Sequence, residues 1–163
     1  NFLIKQVAQE LKKELPTVTR FVTLSPIPGF AKWLDKETKK DDSAISEHSE
    51  VLKLLGNPGW INNPKDVAAL ELPLKACLAH YFLHAKHKNG PPLDPVARFH
   101  LGNGARLERL NWLGDISENG MRQSHGLMVN YLYDLPSVEQ NHEAFADKGE
   151  IIASQDVVKA QKF

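Results

Sequence analysis

Ser25 and His100 are the two residues whose types and settings best suit proton chemistry. Ser25 opens the hexapeptide Ser25-Pro-Ile-Pro-Gly-Phe30, directly after residues 18–24, a run rich in β-branched and aromatic side chains. Two prolines and a glycine exclude helix and ladder from that loop. A hydroxyl therefore stands where a strand runs out into a stiff turn, a setting suited to a fixed hydrogen-bonding role. His100 lies in Arg-Phe-His-Leu and can carry a proton near neutral pH without a large pKa shift. Each also has a plain structural reading. Ser-Pro commonly starts a turn, and a histidine in a strand is more often structural than catalytic. Covalent catalysis by Ser25 finds no support, because no carboxylate in the nearby sequence is an obvious third triad member.

Other reactive types are present. His80, His84 and His87 recur at i, i+4 and i+7 on one helical face, and i, i+4 imidazoles can share a metal ion. The Glu that follows the first His in hydrolytic zinc helices is missing, so a solvated face is the better reading. Cys77 is the only cysteine, which excludes an intrachain disulfide and a multi-cysteine metal site and fits a reducing compartment. Tyr131 and Tyr133 share a face if their segment is a strand, for core packing or for a supporting hydrogen bond near Ser25. Asn103, Asn111 and Trp112 read as residues that shape a hairpin. Lys5, Lys12 and Lys13 read as a solvated face, although Lys5 could reach an anionic ligand.

The elements that must position these groups follow from pattern. With 163 residues, 42 % hydrophobic and 25 % charged, the chain fits one globular domain. Twenty basic residues balance twenty acidic ones, so no global field favours nucleic acid or an anionic membrane. No apolar stretch is long enough to span a bilayer. Residues 1–15 form an amphipathic helix stopped by Pro16, and the chain opens as though inside a fold, at the first turn of that helix. Residues 18–24 read as a strand. Residues 31–63 read as a short helical start followed by a polar loop without catalytic residues. Residues 64–88 read as a helix with a break or kink at Pro73. Residues 95–101 read as a strand carrying His100, followed by a Gly-Asn-Gly turn. Residues 105–113 read as a second strand, with a helix as alternative. Residues 115–124 are a connection or short helix, 126–135 a strand, 137–149 a polar loop and 150–162 a final helix. This order is α/β.

Five blocks carry a resemblance: Phe-Leu-Ile-Lys (2–5), Leu-Ser-Pro-Ile-Pro-Gly-Phe (24–30), Pro-Val-Ala-Arg-Phe-His-Leu-Gly-Asn-Gly-Ala (95–105), Leu-Asn-Trp-Leu-Gly-Asp (110–115) and Gly-Leu-Met-Val-Asn-Tyr (126–131). In this order and spacing the chain resembles the malonyl-CoA decarboxylase family. Residues 1–163 would be the C-terminal part of its catalytic domain. The resemblance implies a GNAT acyltransferase-like mixed sheet flanked by helices, of which this chain supplies the C-terminal half. Half such a fold buries little surface alone, so the upstream segment is expected to be cleaved, disordered or on another chain. The resemblance further implies homo-oligomerisation through a helical N-terminal domain, and malonyl-CoA as substrate. Asn1 matches the end of the family's CoA-binding loop, which makes it a substrate contact. A helix N-terminus there would favour phosphate through its free amides and dipole. Neither nucleic acid nor membrane is an expected partner, and the expected location is cytoplasmic. The chain ends Gln-Lys-Phe, not in the Ser-Lys-Leu peroxisomal address.

The implied reaction, malonyl-CoA to acetyl-CoA and CO2, leaves an enolate. A site for it must stabilise charge on the thioester oxygen, deliver a proton to carbon, and hold the carboxylate out of the thioester plane and out of water. The thioester is itself an electron sink, so fixed donors and one proton source suffice in principle, and no metal or organic cofactor is expected. The resemblance implies that Ser25 contacts the malonyl group as an acid–base residue and that His100 is the proton donor. Two alternatives stand beside it. A GNAT-type acyl-CoA transferase would yield free CoA and an acylated acceptor. A CoA-sensing module would bind CoA tightly without turnover.

Overall fold

In a computed structural model, residues 3–88 and 90–162 are described. Asn1 lies outside them. Helix α1 (Leu3–Glu14) opens the chain, and strand β1 (Arg20–Val22) follows. β1 pairs antiparallel with β3 (Met128–Asp134), placing Phe21 opposite Tyr133. β2 (Arg106–Asn111) pairs antiparallel on the other side of β3, with a register shift between Leu107 and Arg109. The strand order is thus β1-β3-β2. One parallel bridge, Leu107 to Ala153, adds a short extended segment beside β2. The architecture is α/β: a small antiparallel sheet with helices packed around it.

The central strand is the most buried. Val129 and Tyr131 are fully enclosed, and Tyr133 nearly so. Helix α2 (Phe30–Thr38) follows the Ser-Pro loop, and short turns with helix α3 (Ser49–Leu52) lead to helix α4 (Pro64–His84). α4 begins with Pro64 at its first position and with the Asn63 side chain accepting from the amides of Lys65 and Asp66, a start that satisfies free N–H groups. It is not interrupted at Pro73. A helix-interior proline costs about 3 kcal/mol, but Leu70, Leu74, Cys77, Leu78, Tyr81 and Phe82 are all buried along α4 and hold it in place. The helix ends at His84, four residues short of the expected Lys88, because Ala85 turns extended and its carbonyl accepts from the Leu93 amide at 3.1 Å.

Two expectations are overturned. Residues 95–101 are not a strand but belong to helix α5 (Pro95–Gly102), so His100 is helical. The apolar alternation of this segment mimics a strand. The deciding signal is Asp94-Pro95: the Asp94 side chain accepts from the Ala97 amide at 2.9 Å, and Pro95 takes the first helical position. Ala97, His100 and Leu101 then form the buried face at helical spacing. The segment 137–149 is not a loop but helix α7 (Val138–Lys148), capped by Gly149 at φ 64°. α5 packs against α7, and Gly104 permits this. It sits at φ 89°, and a β-carbon there would lie 2.3 Å from the Val138 carbonyl oxygen. Helix α6 (Glu118–Ser124) fills the connection before β3. Helix α8 (Gln155–Ala160) is shorter than expected, because Ile152 and Ser154 first bond Leu107 as extended chain.

Candidate active site

The backbone of Ser25 is clamped to β3. Its amide donates to the Val129 carbonyl at 2.8 Å, and its carbonyl accepts from the Val129 amide at 3.1 Å. β1 thus extends by two further contacts beyond Val22, since the Thr23 amide also donates to Tyr131. The Ser25 hydroxyl is buried and lies 2.9 Å from the Thr23 hydroxyl. Ile27 and Phe30 of the loop are fully buried. Two prolines remove backbone freedom, and two apolar anchors remove the rest.

His100 sits on the inner face of α5 and is only 7 % exposed. Its ring lies flat on that of Tyr131, with centroids 4.4 Å apart and planes 22° from parallel. Its Nδ1 is 2.6 Å from the Tyr133 hydroxyl. Burial lowers the imidazole pKa to about 4 and raises that of the Tyr133 phenol, so at neutral pH the ring is uncharged and the phenol keeps its proton. A phenol donating to Nδ1 leaves the imidazole proton on Nε2. The free edge of the ring is then a neutral N–H donor.

β3 is the element to which both Ser25 and His100 are tied. Val129, Tyr131 and Tyr133 alternate along it and share a face. Ser25 stands opposite Val129, and His100 covers Tyr131 one pleat further, about 7 Å along the strand. The two tyrosines left open between packing and a role near Ser25 are both core residues, and both also contact His100. The Tyr131 hydroxyl is buried without a partner among the described residues.

The histidine triple does not form one face. The His80 and His84 rings are tilted 41° to each other with centroids 5.1 Å apart, and the His84 Nε2 bonds Gln161 at 2.8 Å. His87 lies beyond the end of α4, its amide donating to the Pro91 carbonyl. Among the described residues, no group of three or more His, Cys, Asp or Glu side chains is arranged to hold a metal ion. Asn103 caps α5, its side chain donating to the Phe99 carbonyl at 2.7 Å. Asn111 bonds Asn130 across the sheet, and Trp112 packs near Trp60.

Sequence reasoning missed Asp94 and Tyr81. Asp94 is 1 % exposed. It accepts from the Tyr81 hydroxyl at 3.4 Å and from the Ala97 amide, and its pKa is raised by burial, which outweighs these bonds and the nearby Arg98 charge. An Asp immediately before a proline at a helix start was the available signal.

A family model of the malonyl-CoA decarboxylase C-terminal domain matches residues 1–162. The chain belongs to the malonyl-CoA decarboxylase family. It is 43 % identical to the malonyl-CoA decarboxylase, mitochondrial, of Anser anser anser, covering 97 % of this chain and 35 % of that protein. It is 39 % identical to the mouse (Mus musculus) protein of the same name, over 96 % of this chain and 36 % of the other. The crystal structure of malonyl-CoA decarboxylase from Rhodopseudomonas palustris superposes with a TM-score of 0.93 at 56 % identity, over 98 % of this chain and 37 % of that one. The decarboxylase structure from Agrobacterium vitis gives 0.90 at 50 % identity, over 98 % and 40 %. The chain therefore spans about a third of the length of the curated relatives it matches.

Proposed function

We propose that the protein containing this chain decarboxylates malonyl-CoA to acetyl-CoA and CO2, and that Ser25 and His100 are its acid–base pair. The observation that carries the reading is the His100 ring. It is fixed on both face and edge, uncharged at neutral pH, and offers a single N–H donor on the strand face that also holds the Ser25 hydroxyl. In the reaction the bond between the carboxylate carbon and the α-carbon breaks, its electrons pass into the thioester as an enolate, and the α-carbon takes up a proton. A buried donor aimed at the developing oxyanion works in a low dielectric without reorganisation. Ser25, fixed by Val129 and Thr23, supplies a second donor to the malonyl group. A neutral imidazole is a weak acid, so as Nε2 gives its proton to the α-carbon, Nδ1 takes the proton of the Tyr133 phenol, which is reprotonated from solvent before the next turnover.

The finer readings belong to the same proposal. The three strands are the later half of a GNAT-like sheet, which fits the place of β1 at one end of the strand order among the described residues. Asn1 contacts CoA, residues 1–163 form the C-terminal part of the catalytic domain, and the protein assembles as a homo-oligomer through other parts of the protein. No helix among the described residues is long and apolar enough to cross a membrane. The cytoplasmic location read from the sequence stands beside relatives named as mitochondrial, and fractionation decides between the two. Nothing in the fold favours the acyl-transferase alternative.

The test is product analysis with the full-length protein. Malonyl-CoA should give acetyl-CoA and CO2 in equal amounts, and Ser25→Ala and His100→Ala should each lower kcat by about a hundredfold or more while leaving the protein folded. Near-wild-type CO2 release by either variant would remove that residue from the site.

A further inference from the structure

Tyr81 touches both halves of the site described above. It lies on α4, 2 % exposed, with its ring 5.6 Å from Phe30 and 5.1 Å from Trp33. Its hydroxyl points to two places. One is the Asp94 carboxylate, 3.4 Å away, whose other oxygen caps the helix carrying His100. The other is Gly29, in the loop opened by Ser25, where an added β-carbon would stand 2.8 Å from the Tyr81 oxygen and 4.0 Å from its ring carbon Cζ. Gly29 has φ −102° and ψ −3°, a right-handed conformation open to any residue. Its backbone does not call for glycine; the space taken by the Tyr81 hydroxyl does.

We propose that Tyr81 and Asp94 are positioning residues that set the separation of the serine loop and the histidine helix, with the bare Cα of Gly29 as the third contact. The assignment rests on the proposed decarboxylation. A methyl on Gly29 forces either the Tyr81 hydroxyl off Asp94 or the loop away from α4. Between Gly29 and Ser25 stand two prolines, which transmit a shift rather than absorb it. Loss of the Asp94 side chain frees the first turn of α5, and His100 is one and a half turns further along. Both changes alter where the hydroxyl and the imidazole meet a substrate, without removing either.

The test is a cycle of variants in the full-length protein, read as kcat and KM for malonyl-CoA with thermal melting alongside. Tyr81→Phe should lower kcat about tenfold with KM nearly unchanged, since a displacement near one ångström at a reacting group costs roughly ten- to a hundredfold. Gly29→Ala alone should do the same. Added to Tyr81→Phe it should cost about nothing more, because the atom it meets is gone and the nearest ring carbon is at van der Waals distance. Asp94→Ala should lower kcat like Tyr81→Phe. Asp94→Asn should recover most of the rate, because its carbonyl caps Ala97 and its amide donates to the Tyr81 oxygen. Multiplying losses for Gly29→Ala and Tyr81→Phe, a wild-type kcat for Tyr81→Phe, or equal losses for Asp94→Asn and Asp94→Ala would overturn the assignment while leaving the decarboxylase reading intact. Failure of the wild-type protein to release CO2 would overturn that reading, and this assignment with it.

Discussion

Tyr133→Phe isolates the contact on which the proposed chemistry depends most. The substitution keeps the ring that packs in the core and deletes one hydroxyl, the group 2.6 Å from the His100 Nδ1. A hydrogen bond of this kind contributes about 0.5–1.5 kcal/mol net, and leaving its buried partner unsatisfied costs about 1–3 kcal/mol. Nδ1 is such a partner, because His100 is only 7 % exposed and its ring face is occupied by Tyr131. Part of the loss is in stability, moderated by the stacking that still holds the ring. The rest is in catalysis, because without the phenol the imidazole proton is no longer confined to Nε2. A loss of about 1.4 kcal/mol corresponds to about a tenfold fall in kcat. KM should change little, since Tyr133 is buried behind His100. A phenol donating to Nδ1 also favours the neutral ring, so its removal should move the acid limb of the rate profile to higher pH. The assay is steady-state acetyl-CoA formation by the full-length protein between pH 4 and pH 8. An unchanged kcat and an unmoved acid limb in a folded variant would refute the role given to the Nδ1 contact.

Two further outcomes follow from buried titratable groups. The folded pKa of His100 is near 4, below its ordinary 6.5, so the neutral ring contributes stability that is fully present above pH 6.5 and lost as pH falls towards 4. The thermal midpoint of the wild type should therefore drop relative to His100→Gln across that window, and parallel curves would contradict it. Cys77 is fully enclosed and burial pushes its thiol up to about 12. Iodoacetamide at pH 8 should label it only after unfolding, and rapid labelling of the native protein would show that α4 opens where the structure has it packed.

The sheet was legible because its signals are local. Residues 18–24 and 126–135 carry β-branched and aromatic side chains between turn residues, 105–113 follows a Gly-Asn-Gly turn with Leu107, Arg109 and Asn111 alternating, and each holds an observed strand. The helices α5 and α7 were not, for two different reasons. In 95–101 the apolar residues alternate by chance, while the true organiser is the Asp94 cap, a side-chain-to-amide bond that period counting does not detect. In 137–149 the helix is mostly polar because only a narrow stripe, with Val138 buried and Phe145 packed on the core, meets the rest of the protein. For the site, Ser25 and His100 were named from their loop and motif. The partners of His100 could not be assigned, because a cross-element contact such as His100 to Tyr133 depends on how α5 crosses β3. Tyr81 was hidden for the same reason: nothing near it in sequence shows that its hydroxyl reaches both Gly29 and Asp94.

Ser25 and His100 are separated by 75 residues, yet they do not have to find each other directly. Each is referred to β3: Ser25 by two backbone bonds to Val129, His100 by the face of Tyr131 and the hydroxyl of Tyr133. Alternate residues of one strand thus do three separate tasks, and their spacing is fixed by the pleat. A slip of one residue in β3 would turn all three side chains to the opposite face, where Asn130 now bonds Asn111 and the Thr23 carbonyl. Those two amide bonds lock the register from the far side of the sheet, so polar groups remote from the chemistry hold the strand that aligns it. The strand sets the direction in which Ser25 and His100 can meet, and the Tyr81–Asp94 contact sets how far apart they stand. The two controls act through different elements. Losses from Tyr133→Phe and Tyr81→Phe should therefore multiply, in contrast to the Gly29–Tyr81 pair, where they should not.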